Sequence, residues 1–325
     1  HRKGADVNMT ALNKDIVYDM IIVGGGPGGY TSALYAARAG FNVLVLEKFS
    51  AGGQMALTHQ IDNYPGFEDG IDGFSLADKM KKQAERFGAR SENAEVIKVN
   101  LTVNPKEIET AKGTFLSKTV VLASGANPRE LGVDKETELI GRGVAYCASC
   151  DGMFYRGKTV VVVGGGNTAA ADAILLSRIA KKVIIVHRRD TLKATRIYHE
   201  PLMNAENVEF KWDSTVTELL YEDKITGVKI KNVKTGEESI IDCDGVFVSV
   251  GRKPATDFLG SQLDLDENGY IIADETTKTS IPGVYAVGDI RTKQLRQVVT
   301  AVSDGAMAVH SAEEYLAEEH KGSEI

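Results

Sequence analysis

Cysteine is scarce, at three in 325 residues. That is too few to staple a fold with disulfides, so a reducing, cytoplasmic compartment is expected. Long apolar runs are missing too. None approaches the roughly 20 residues that a membrane-spanning helix requires, so no membrane partner is expected. Residues 1–8, HRKGADVN, lack the apolar stretch of a secretory signal; lying ahead of Met9, they are expected to be a cloning remnant and are left out of the reading. An excess of positive charge is also absent. The 38 Lys and Arg against 45 Asp and Glu give a net charge of -7, which argues against nucleic acid as a partner. What remains is an ordinary globular composition, 43% hydrophobic and 26% charged, over a length that suggests two domains.

The 33 glycines are more than average, and two groups of them open similar units. The apolar run 18–23 (YDMIIV) ends in Gly24-Gly25-Gly26-Pro27-Gly28-Gly29; an Ala-rich, helix-compatible stretch 30–39 follows, then a second apolar run 43–46 that ends at Glu47. Gly24, Gly26 and Gly29 fit G-x-G-x-x-G. In that pattern the glycines permit a tight turn and let backbone N–H groups and the helix N-terminus reach a pyrophosphate. Glu47 lies 23 residues beyond Gly24, close to where a carboxylate accepts hydrogen bonds from a ribose. A lone glycine fingerprint is weak, since many turns carry glycine. Strand, turn, helix, strand and acid together predict a dinucleotide site.

A second copy begins 140 residues later. The run 160–163 leads into Gly164-Gly165-Gly166-Asn167-Thr168-Ala169, an Ala/Leu helix, the run 183–186, and then His187-Arg188-Arg189. An internal repeat of a whole nucleotide-binding unit is a stronger signal than either copy alone. Ala169 replaces the third glycine, which the pattern tolerates. His187 stands where Glu47 stands in the first copy, with Arg188 and Arg189 beside it and Lys193 four residues beyond Arg189. A carboxylate there would repel a phosphorylated ribose, whereas guanidinium groups match a phosphate bidentately. The second site is therefore expected to prefer NADPH, and the first to take a nucleotide with an unphosphorylated ribose, such as FAD. The bland alternative is that the basic cluster is a solvated helix start.

Between the copies lies Cys147-Ala148-Ser149-Cys150-Asp151. In a Cys-x-x-Cys motif the thiol pKa falls from ~8.5 to between roughly 3.5 and 7.5, supplying the thiolate that disulfide exchange needs. A protonated Asp151 next to it would be able to hand a proton to a leaving thiolate. Half of a zinc site and two inert buried cysteines are the alternatives; a closed zinc site needs four ligands, and only Cys243 and six scattered histidines remain. Cys243 itself reads as a buried thiol. Elsewhere, 52–66 reads as a connector, 76–87 as a helix, 119–123 as a strand, 208–243 as short β-like runs, 281–289 as a buried strand ending in an acid, and 297–309 as a helix. No metal site is expected.

With both fingerprints, the cysteine motif between them and the strand ending at Asp289, the chain resembles low-molecular-weight thioredoxin reductase from Tyr18 to about Leu316. The resemblance implies an α/β fold of two Rossmann-like, three-layer nucleotide-binding domains. The NADPH domain (127–254) would be inserted into a discontinuous FAD domain (9–126 and 255–325), with 125–129 and 250–254 as paired linkers. By position, Gly24, Gly26, Pro27, Gly29, Glu47, Gly53, Gln54, Asn63, Asp289, Arg296, Gln297 and Val298 would hold FAD. Gly166, Asn167, Thr168, His187, Arg188, Arg189 and Lys193 would hold NADPH, although relatives often have arginine where Lys193 stands. The implied activity is a relay from NADPH through FAD to a Cys147–Cys150 disulfide and on to thioredoxin, with Cys150 facing the flavin, Cys147 attacking the partner and Asp151 as acid–base. The resemblance also implies a homodimer and a rotation of one domain against the other. Two other functions are weighed against this one. A ferredoxin-dependent or otherwise NADPH-independent flavin disulfide reductase of similar fold would lack the second fingerprint and the basic cluster, and a non-catalytic nucleotide sensor would have no use for the cysteine pair.

Overall fold

Each apolar run that precedes a glycine turn becomes the middle strand of its own parallel sheet. The protein is described by a computed structural model over residues 16–48, 51–58 and 60–322; the expectation for residues 1–8 lies outside the described residues. Two compact units make up the chain, one from 16–57, 73–126 and 254–322, the other from 58–72 and 127–253.

In the first unit the strand Val17–Val23 runs parallel to Val43–Glu47 on one side and to Gly113–Leu122 on the other. Arg90–Asn93 extends the sheet beyond Val43–Glu47, and Val284–Ala286 extends it beyond Gly113–Leu122. Strands buried on both faces need near-continuous aliphatic sequence, which YDMIIV supplies. Alternate side chains then feed two cores. Ile21 and Val23 pack with Leu122, Ile108 and Leu101, while Met20 and Ile22 pack with Tyr30, Ala33, Ala36 and Ala308 from the helices Pro27–Arg38 and Val298–Gly322. A meander of Val96–Asn100, Lys106–Thr110 and Gly113–Leu122 covers the other layer.

The second unit repeats this plan. Thr159–Val163 is flanked by Lys182–Val186 and Val208–Lys211 on one side, and by Gly245–Val248 and Val144–Ala145 on the other, all parallel. Val160 and Val162 pack on Ala169, Ala173 and Leu176 of the helix Asn167–Ser177; Val161 and Val163 pack towards the antiparallel sheet Ser214–Tyr221, Ile225–Asn232 and Glu238–Asp242. The β-like reading of 208–243 therefore resolves into one parallel strand and a three-stranded antiparallel sheet. The chain passes between units through Ala126–Pro128 and Arg252–Pro254, which pair with each other.

Helix boundaries differ from the sequence reading for local reasons. The first helix starts at Pro27 rather than near residue 30, because proline's fixed φ and missing N–H suit a first helical position. The last helix runs to Gly322 rather than 309, because Ala308, Ala312 and Leu316 continue a buried stripe at a spacing of four. Cys243 is buried and free, and burial pushes its thiol up to about 12.

Candidate active site and nucleotide sites

The first glycine turn is built by contacts that admit no side chain. Gly24 has φ +103°, and a Cβ there would lie 2.5 Å from the Ala123 carbonyl oxygen; a Cβ on Gly29 would lie 2.0 Å from the Gly24 oxygen. A Cβ on Gly26, by contrast, would meet nothing within 4 Å. The turn therefore holds the strand against the helix while its middle glycine faces open space, the shape a pyrophosphate needs. Helix Pro27–Arg38 has Gly26 as N-cap, no side-chain cap and no acid in its first turn. Its uncapped amides and partial charge, about +0.5 at a helix N-terminus, favour an anion there.

Glu47 closes this site. It is nearly buried, leans over Gly25 and accepts a hydrogen bond from Tyr30 Oη at 2.8 Å; burial pushes its carboxyl up. Gly53 and Gln54 reach the turn through the 3-10 helix Gly53–Leu57, since the Gly52 N–H donates to the Gly25 oxygen at 2.8 Å. The end of the chain arrives by close helix packing. A Cβ on Gly305 would lie 2.4 Å from the Gly28 oxygen, and Gly28 abuts Val287 and Ala301. This brings the turn Gly288–Ile290, with Asp289, and the start of Val298–Gly322 beside the first glycines. The Gln297 amide donates to Thr300 Oγ1 (3.1 Å) and fixes that helix start. Arg296 stacks 4.1 Å over Tyr270, and its buried Nε has no partner. Asn63 lies in 58–72, a stretch grouped with the second unit and held by its own Ile61–Ile71 bridge.

The second glycine turn repeats the first at its two leading glycines, while Ala169 stands in the place of Gly29. Gly164 has φ +145°, and a Cβ there would lie 2.4 Å from the Ser249 oxygen; a Cβ on Gly166 would meet nothing within 4 Å. Helix Asn167–Ser177 also begins without a side-chain cap. His187 lies over Gly165 as Glu47 lies over Gly25, and the Lys193 and Ala194 amides donate to the Gly165 oxygen at 2.7 and 2.9 Å. The Thr195 amide donates to Asn167 Oδ1 (2.8 Å), so 193–195 is tied to the helix start. Burial pushes the His187 imidazole down, with Arg189 and Arg188 adding to the effect, so at neutral pH it is uncharged. Its Nε2 is buried without a partner. The positive charge of the site thus belongs to Arg188, Arg189 and Lys193, which are exposed and form no ion pair among the described residues. They follow the strand as irregular chain, so the solvated helix start is not what forms.

Two buried side-chain nitrogens lack a partner among the described residues, His187 Nε2 and Arg296 Nε. One belongs to each of the two candidate nucleotide sites. Buried polar groups are normally satisfied, so both residues fit bound nucleotides that supply the missing partners. Cofactors of the FAD and NADPH type fit the two sites.

Cys147 and Cys150 form a disulfide with Cα atoms 5.3 Å apart, which commits both sulfurs to each other rather than to a half zinc site. Both are half-buried. Cys147 precedes the single helical turn Ala148–Asp151, the Asp151 amide donates to the Cys147 oxygen (3.0 Å), and Ser149 Oγ lies 3.3 Å from Cys147 Sγ. Tyr146 Oη donates to buried Glu136 (2.8 Å), which also accepts from the Leu131 and Gly132 amides, both 2.9 Å.

Some residues that shape these sites escape a sequence reading. Arg291, Lys293 and Asp304 form a buried cluster behind Gly288: Asp304 accepts from Arg291 at 2.7 and 2.9 Å, from Lys293 at 2.7 Å and from the Gly288 amide at 2.8 Å. The one available signal is an acid in the otherwise apolar run VVTAVSDGAMA. Tyr30, the partner of Glu47, carries no comparable signal.

Residues 18–305 match the family Pyridine nucleotide-disulphide oxidoreductase. The chain is 42% identical to a thioredoxin reductase of Treponema pallidum, over 92% of this chain and 97% of that one. It is 43% identical to a thioredoxin reductase of Listeria innocua, over 94% and 96%. Among solved structures, a thioredoxin reductase from Streptococcus pyogenes superposes with a TM-score of 0.86 at 43% identity, covering 93% of this chain and 99% of that one. Two Rossmann-like units, a disulfide in the Cys-x-x-Cys motif and this degree of likeness lead to one placement: the chain belongs to the pyridine nucleotide-disulphide oxidoreductases, in the thioredoxin reductase family.

Proposed function

We propose that this chain catalyses NADPH-dependent reduction of thioredoxin disulfide. The observation that carries the reading is the Cys147–Cys150 disulfide held in the same unit as a nucleotide turn flanked by three exposed cations. The domain assignment follows: FAD with 9–126 and 255–325, NADPH and the cysteines with 127–254. When bound, FAD supplies two-electron transfer between the nicotinamide and the disulfide. Gly24, Gly26, Pro27 and Gly29 cradle its pyrophosphate, Glu47 accepts from its ribose, and Gly53, Gln54, Asn63, Asp289, Arg296, Gln297 and Val298 complete its pocket. Gly166, Asn167 and Thr168 receive the NADPH pyrophosphate, His187 offers a neutral acceptor to a hydroxyl, and Arg188, Arg189 and Lys193 hold the 2′-phosphate.

Once reduced, the Cys147 thiolate attacks one sulfur of the thioredoxin disulfide and the other sulfur leaves as a thiolate. Cys150 then attacks Cys147, restoring the disulfide and releasing thioredoxin as a dithiol. Asp151 delivers the proton that a departing thiolate takes up. One domain serves both nicotinamide and thiol exchange, so turnover includes a rotation absorbed at 126–128 and 252–254. The working form is a cytoplasmic homodimer, a reading supported by the family likeness alone.

Anaerobic titration followed at the flavin absorbance tests the cofactor assignment. NADPH should bleach the flavin at far lower concentration than NADH. Arg188→Ala/Arg189→Ala should raise the KM for NADPH roughly 50-fold, as lost charge-assisted hydrogen bonds of about 1.5–3 kcal/mol each, discounted for exposure, imply. The KM for NADH should change little. Equal weakening of both nucleotides would remove the 2′-phosphate assignment.

A further inference from the structure

Opening the Cys147–Cys150 disulfide with two electrons and one proton leaves one thiol and one thiolate, and only the thiolate attacks a further disulfide. Which sulfur keeps the charge depends on what hydrogen-bonds to it. Ser149 Oγ lies 3.3 Å from Cys147 Sγ. A disulfide sulfur carries no hydrogen, so the hydroxyl is the donor in this contact. Among the described residues, no other side chain hydrogen-bonds to either sulfur. The turn that sets the distance does not depend on the S–S bond. The Cys150 and Asp151 amides both donate to the Cys147 oxygen, at 3.2 and 3.0 Å. Ala148, between Cys147 and Ser149, is buried in one apolar cluster with Ala173 and Leu176 of the helix Asn167–Ser177.

We propose that Ser149 is a catalytic residue whose hydroxyl places the negative charge of the reduced pair on Cys147 rather than on Cys150. The proposal rests on the thioredoxin reductase reading. A thiolate accepts a hydrogen bond more strongly than a disulfide sulfur does, so the contact tightens when the pair is reduced. The ionisable groups around the turn offer no positive charge in its place. They are Asp151 on the turn itself, Tyr155 in the following 3-10 helix Gly152–Tyr155, Asp172 on the helix packed against the turn, and Glu136, which holds the hydroxyl of Tyr146. Acids of this kind disfavour a thiolate on either sulfur, whereas the hydroxyl favours it on one. Ser149 thus fixes which cysteine is the nucleophile towards the partner disulfide.

The test is pulse alkylation by iodoacetamide, across pH, of FAD-loaded protein reduced with dithiothreitol and desalted. The thiolate displaces iodide and a C–S bond forms; peptide masses after digestion report Cys147, Cys150 and the buried Cys243 separately. In the wild type, Cys147 should take more label than Cys150. Ser149→Ala should raise the pH midpoint of Cys147 alkylation by about one unit, a roughly tenfold shift in the ionisation equilibrium, since hydrogen bonds to charged groups are the stronger kind. The share of label on Cys150 should rise with it. Ser149→Thr, which keeps the hydroxyl, should restore both wild-type values. Ser149 is exposed and alanine suits a helical turn, so Ser149→Ala should fold. A shift of less than about twofold in the Cys147 ionisation equilibrium of Ser149→Ala overturns the proposal. So does wild-type label that falls mainly on Cys150. Failure of the wild-type protein to reduce thioredoxin would overturn the parent reading instead, and the alkylation is measured without thioredoxin.

Discussion

Cys150→Ser should stop NADPH-dependent thioredoxin reduction, by at least about 10³-fold, in a protein that stays yellow. Losses of that order accompany removal of a covalent participant whose partner groups remain in place. Serine preserves the shape of the half-buried turn after Cys147, so folding and flavin content should match wild type. The remaining Cys147 thiol is still able to attack a thioredoxin disulfide, but no resolving thiol is left to release the partner. A stable mixed disulfide between Cys147 and thioredoxin should therefore accumulate, visible by non-reducing electrophoresis. Cys147→Ser should be equally inactive and trap no partner. Turnover of Cys150→Ser with thioredoxin would sink the relay, and trapping by Cys147→Ser instead would exchange the two cysteine roles.

The parts of the site that were legible in the sequence are those fixed by local spacing. Gly24 and Gly164 precede Glu47 and His187 by the same interval, and in both units the later side chain lies over the glycine that follows the first. A strand, a tight turn and one helix length force that recurrence, so it shows as a pattern. The contrast between Glu47 and the basic stretch 187–193 was equally readable, because charge is written in residue type. Contacts that close each site from a distance leave no such mark. Ser32 Oγ donates to the Gly305 oxygen across 273 residues, and the Gly52 amide reaches Gly25 through a stretch that looks like a plain connector. Neither hydrogen bond imposes a periodicity.

Asp304→Ala should cost about 3–5 kcal/mol of stability, because it strands two buried cations. The side chains of Arg291, Lys293 and Asp304 are 2%, 6% and 5% exposed. Their attraction offsets a desolvation cost that remains in full once the carboxylate is gone. The exposed partner makes the contrast: Glu275 also contacts Arg291, at 3.3 Å, but is 91% exposed, so Glu275→Ala should shift stability by no more than about 1 kcal/mol. The urea midpoint at unchanged slope measures both. The Gly288 amide loses its acceptor as well, so the turn that carries Asp289 should loosen and flavin content should fall with the same substitution. The pH dependence has a definite sign. Burial alone pushes the Asp304 carboxyl up, but the hydrogen bonds from Arg291, Lys293 and Gly288 outweigh it and hold the group below its ordinary value. A depressed carboxylate contributes its full stability above the unfolded pKa of about 3.9, and that contribution disappears as pH falls through the folded value. The gap between wild type and Asp304→Ala should therefore be constant from neutral pH to about 5 and narrow below about 4. A gap that persists undiminished in acid would mean that the lost stability came from packing rather than from the buried charge cluster.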